Sequence, residues 1–172
     1  MAASKAKPTA GAAPALGSVF NIVWLLHAAL EGPLSAIALF LPRALPIEGM
    51  TAATVVILKL YASIALALAI TCLLLYSLPD YLPGKRACAI MLLIYHATAS
   101  SVLLNAPSFI SLQFSGFAQE KLKISPESIV GCLHGFLALI ITFWWQSTLG
   151  SVKAANGASG PAGAAPGGKK RR

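Results

Sequence analysis

The sequence predicts an all-α, multi-pass membrane protein: a bundle of four transmembrane helices. Three observations lead there. Of 172 residues, 57% are hydrophobic and 10% charged, whereas soluble domains run nearer half apolar and a quarter charged. The apolar residues gather into four runs, each near the ~20 residues that cross a hydrocarbon core about 30 Å thick. Within the runs Leu, Ala and Ile dominate, without the alternation of a membrane strand.

The first helix is expected over about 20–41, opened by Ser18 as N-cap and closed at Pro42-Arg43. The second, 52–78, follows Thr51 and stops at Pro79-Asp80. The third, 87–104, begins after Lys85-Arg86 and is ended by Asn105-Ala106-Pro107. The fourth, 126–149, opens on Ser125-Pro126-Glu127, with Pro at the first helical position and an acid in the first turn. These runs define a transmembrane domain over 18–150. The 20–41 run is longer than the roughly 7–15-residue apolar core of a cleaved signal and carries His27 and Glu31, so an uncleaved first helix is expected. Residues 105–125 mix five apolar side chains with Gln119-Glu120-Lys121, which suits either an interfacial segment or a plain loop.

The ends are different material. Residues 1–17 are Ala/Pro/Lys-rich, and 151–172 are Gly/Ala/Pro-rich and end in Lys169-Lys170-Arg171-Arg172. Neither composition buries enough apolar surface to fold, so both are expected to be disordered tails, the C-terminal one basic. The formal charge of +8 raises nucleic acid as a partner, and its distribution rejects that reading. The basic residues sit in the tails and one short turn rather than in a stripe along a folded face. They set orientation instead. Lys5, Lys7, Lys85, Arg86, Lys153, Lys169, Lys170, Arg171 and Arg172 fall on the side of the termini, nine in all, against Arg43, Lys121 and Lys123 on the other. That asymmetry places both termini in the cytosol.

Lys169 and Lys170 stand four and three residues from the C-terminus. On a cytosolic tail they resemble the dilysine signal that retains membrane proteins in the endoplasmic reticulum; a tail that merely touches anionic lipid is the rival reading. Cys72, Cys88 and Cys132 show no C-x-x-C spacing, which argues against a disulfide framework or a zinc site. No cofactor and no metal is assigned from spacing.

Five ionisable residues fall within the spans: His27, Glu31, Lys59, His96 and His134. A charge near the bilayer centre costs roughly 2.5–3.5 kcal/mol, so such groups face the bundle interior and carry a purpose. Counting along each helix places all five in one slab, with Glu31 nearest the midplane. His27 and Glu31 are four apart and share a helix face. Gly32-Pro33 follows at once, and Pro33 frees the Ala29 carbonyl, a break that can open a polar pocket. Each group also has a structural reading. Lys59 can snorkel to the headgroups, the histidines can serve as interhelical glue, and Glu31 can be a packing carboxyl, protonated or paired with Lys59.

Two small-residue faces allow close helix contact: Ala28, Gly32 and Ala36 in the first helix, Gly131 and Gly135 in the fourth. They can pack within the bundle, in a homo-oligomer, or against a partner membrane protein. The lipid bilayer is the one partner the composition requires.

The stretch His27-Ala28-Ala29-Leu30-Glu31-Gly32 resembles the emopamil-binding/sterol-isomerase (EXPERA) membrane families. The resemblance implies a small helical bundle of the endoplasmic reticulum, with a His and an acid at this spacing acting on a sterol double bond. The chain departs from the family in carrying Lys59 where the second span holds a further acid.

Two functions follow. One is a membrane scaffold, assembly factor or lipid-binding component without a catalytic motif. The other is an intramembrane enzyme or carrier of an apolar lipid or sterol, with Glu31 and His27 as catalytic pair. No phosphate loop, nucleophile elbow or H-E-x-x-H motif occurs in the sequence, which weights the first.

Overall fold

The computed structural model describes residues 19–112 and 124–158. The expected N-terminal tail, the cap at Ser18, most of the polar half of 105–125, and Lys169 and Lys170 lie outside the described residues. The described chain is an all-α bundle. Helix α1 is Ile22–Phe40, preceded by a 3-10 turn at Val19–Asn21; α2 is Ala52–Tyr76, α3 Pro83–Leu104 and α4 Pro126–Ser147, continued by α5, Leu149–Ala158. The α1 turn-and-helix, α2, α3 and the α4–α5 run are each long and apolar enough to cross a membrane.

Local chemistry sets most of the boundaries. Thr51 Oγ1 accepts from the Thr54 amide at 3.2 Å, and Ser125 Oγ from the Ser128 amide at 3.1 Å, satisfying donors that open α2 and α4. Pro83 starts α3, because a proline with fixed φ and no N–H suits the first turn. Lys85 and Arg86 therefore lie inside α3 rather than before it. Helix also continues past Gly150, where a tail is expected from 151. The Val152 amide reaches the Thr148 carbonyl at 3.2 Å, and Lys153-Ala154-Ala155 is good helix-forming sequence.

The helices pack as two hairpins, α1 on α2 and α3 on α4, with α1 also meeting α4. Small residues set these contacts. A Cβ on Gly32 would stand 3.7 Å from the Ala69 Cβ, whereas one on Gly131 or Gly135 would come within 3.0 Å of Leu104 or Ser100. Ala28 is buried and Ala36 half-buried. The apolar core fills the half of the bundle nearer the termini: Trp24, Ala69, Cys72, Cys88, Leu92, Ile141 and Trp144 among others. Outside, Ile57, Ile64, Leu74, Phe136 and Leu139 are exposed. In water such a surface would drive aggregation; against lipid it matches its solvent.

Each end of the bundle is tied by a charged residue. At the terminal end Lys85 is fully buried. Its ammonium donates to Asp80 Oδ1 at 2.7 Å, Asn21 Oδ1 at 2.9 Å and the Leu78 carbonyl at 2.8 Å, and lies over the Trp24 and Trp144 rings. At the opposite end Glu127 Oε1 accepts from the Phe109 and Ile110 amides at 2.7 and 2.8 Å. Ile110 also bridges to Ile47, so the two connections at that end form one cap. Residues 105–112 are therefore a tethered loop, without helix.

Candidate functional site

Above the apolar core, at mid-height, the bundle interior becomes polar. Glu31 is the tenth of the nineteen residues of α1, and His27 lies one turn earlier on the same face. Helix α3 supplies His96 and α4 supplies His134. All four are buried: His27 and His96 completely, Glu31 to 6% and His134 to 8% exposure. Three helices thus deliver four ionisable side chains to one spot.

They form a chain. His27 Nδ1 lies 3.0 Å from His96 Nε2, His96 Nδ1 lies 2.9 Å from His134 Nδ1, and His134 Nε2 lies 3.6 Å from Glu31 Oε1. A neutral His96 donates through one nitrogen and accepts through the other, so the chain has a direction. When His96 donates to His134, the remaining His134 proton points at the Glu31 carboxylate. When it donates to His27, the His27 proton sits on Nε2, a buried nitrogen without a hydrogen-bond partner.

Glu31 therefore faces His134 rather than the His27 that the i, i+4 spacing offered. The α1 helix meets α4 directly, and His27 reaches across to His96 on α3. Lys59 does not join. Its side chain is exposed on α2, and it forms no ion pair among the described residues, which accords with snorkelling.

Two tyrosines complete the site and were not singled out from sequence. Tyr95 precedes His96, and its ring packs edge-on to His27 and His134. Its hydroxyl is hydrogen-bonded to the Tyr61 hydroxyl of α2. The available signal was depth: both tyrosines lie inside their spans, away from the interfacial belt where tyrosine ordinarily gathers.

A lateral groove of about 570 Å³ adjoins the cluster, with Tyr61, Tyr95 and His134 at its polar end and Ile94, Val102 and Leu103 along its wall. It falls within the 300–1,000 Å³ range typical of small-molecule sites (a rough range). Its lining holds no lysine or arginine.

The remaining candidates lie elsewhere. Cys72 and Cys88 are buried together in the core, while Cys132 is exposed. Gly32, Gly131 and Gly135 sit at helix contacts inside the bundle. Comparison of the chain with protein-family models, with curated proteins and with solved structures finds no match.

Proposed function

We propose that this chain is a membrane protein that binds a neutral, hydroxyl- or carbonyl-bearing lipid in the groove beside Tyr61, Tyr95 and His134. One observation carries the reading: an apolar slot open to the lipid-facing surface ends on a buried polar cluster. The tail of an amphiphile gains burial along Ile94, Val102 and Leu103, and its polar end meets hydroxyl and imidazole groups that donate or accept. A phosphate head would find no counter-charge there, which selects a neutral lipid, such as a sterol or a long-chain alcohol. Small-residue faces left free would favour the scaffold reading. With Gly32 against Ala69, and Gly131 and Gly135 against α3, those faces are occupied, which favours lipid binding.

The test is stability against ligand. A sterol or long-chain alcohol should raise the unfolding temperature of the detergent-purified chain. Val102→Trp, which fills the groove from its exposed wall, should abolish the rise without lowering the starting value. No rise with any neutral lipid would contradict the reading. Recovery of a chemically altered lipid would move it to an intramembrane enzyme.

The orientation and compartment belong to the same proposal. Nine basic residues against three support cytosolic termini, checked by protease access to terminal tags in sealed microsomes. Lys169 and Lys170 support residence in the endoplasmic reticulum. Replacing both by Ser should release the protein to later compartments.

A further inference from the structure

We propose that the buried cluster is a site for a divalent transition-metal ion, ligated by His27, Glu31 and His96, with His134 oriented behind them. One ligand atom from each of the three residues lies within 4.8 Å of the others, and all three residues are buried. The His27 Nδ1 to His96 Nε2 separation of 3.0 Å is close to the edge of about 3.3 Å expected between donors bound to one ion at 2.0–2.1 Å. Small side-chain rotations bring the set to bonding distance.

A further observation points to a bound cation. Glu31 is an acid at the middle of its span, and no lysine or arginine pairs with it among the described residues; its ion-pair partner is His134 at 3.6 Å. A divalent ion would supply the missing counter-charge.

The surroundings fit as well. A ligating histidine holds its other ring nitrogen in a hydrogen bond that fixes tautomer and ring plane. His96 has that bond, from Nδ1 to His134 Nδ1 at 2.9 Å. Two imidazoles and one carboxylate suit zinc or iron(II) better than calcium or copper(I). Three protein ligands leave a fourth position open, as sites that bind an exogenous molecule do. The inference goes beyond lipid binding and is measured without any lipid.

The experiment uses the full chain, purified in detergent without a polyhistidine tag. After incubation with zinc(II) and gel filtration, elemental mass spectrometry should find a single equivalent per chain. Cobalt(II) should give the visible ligand-field bands of a low-coordinate nitrogen/oxygen site. Glu31→Gln and His96→Gln should lose the metal. His134→Phe should keep the stoichiometry and weaken affinity by about 10–100-fold. Cys72→Ala and Lys59→Met should bind as the unmodified chain does. Zinc retained equally by Glu31→Gln and His96→Gln, or thiolate charge-transfer bands that Cys72→Ala removes, would overturn the proposal. Where a variant does not elute as folded helical protein, the cobalt spectrum of the unmodified chain decides, and absence of ligand-field bands overturns it. Zinc binding without lipid-dependent stabilisation would leave the metal site standing and remove the lipid reading; the reverse would do the opposite.

Discussion

His96 Nδ1 lies 2.9 Å from His134 Nδ1 across the α3–α4 contact, while the other nitrogen of the same ring engages His27 on α1. One imidazole thus ties three helices. His96→Ala leaves two buried nitrogens unsatisfied, at about 1–3 kcal/mol each, so destabilisation of about 2–4 kcal/mol is expected. Thermal unfolding in detergent, followed by helical circular dichroism, checks it. A silent His96→Ala would mean that the rings are not bonded.

Two of the lysines within helices, Lys59 and Lys85, should behave in opposite ways. Lys59 is exposed, and Lys59→Met should change stability by less than about 0.5 kcal/mol. Lys85 is buried in a three-acceptor nest beside two indoles. Removing one partner of a buried pair costs roughly 3–5 kcal/mol, and Asp80 keeps some access to water, so Lys85→Met should cost on the order of 2–3 kcal/mol. Equal effects in the same unfolding assay would contradict this placement.

Glu127→Ala should loosen the cap formed by the connections 41–51 and 105–112. The two amides it holds, at 2.7 and 2.8 Å, bond to a charged acceptor, each such bond contributing about 1.5–3 kcal/mol. Hydrogen exchange should rise at Phe109 and Ile110 while α2 keeps its protection. Unchanged exchange at those amides would show that the Ile47–Ile110 bridge holds the cap alone.

The helix-contact glycines should separate by available space. Gly131→Val must displace Leu104, whose backbone nitrogen would stand 3.2 Å from the new Cβ, and overpacking of this kind costs about 1–3 kcal/mol. Gly32→Ala meets only the Ala69 Cβ at 3.7 Å and gains helix propensity, so it should be neutral or stabilising by up to about 1 kcal/mol. Unfolding midpoints of the two variants test the ranking.

The bundle was legible because span length and composition follow from the bilayer alone. Four apolar runs bounded by Pro42, Pro79, Asn105 and Ser125 leave little freedom. The depth of His27, Glu31, His96 and His134 was legible for the same reason, since rise per residue converts position into height. Azimuth was not. Whether a residue at the right height points inward depends on which helix it meets, and that separates Lys59 from the histidines and turns Glu31 toward His134. Lys85 was read as a charge in the short turn ahead of the third helix, because a basic pair beside a turn ordinarily sits there. Its burial depends on Asn21 and Asp80 arriving from two other segments.

Where a neutral lipid touches the chain tests the central claim most directly. A photoreactive sterol or long-chain alcohol, added to membranes that contain the protein, would be crosslinked and its attachment sites mapped by peptide mass spectrometry. Lipid bound in the groove should attach at Tyr61, Ile94, Thr98 and Val102, and excess unlabelled lipid should compete it away. Attachment spread without competition over the outward residues Ile64, Leu74 and Phe136 would show that the lipid only solvates the bundle, and would contradict binding at the cluster.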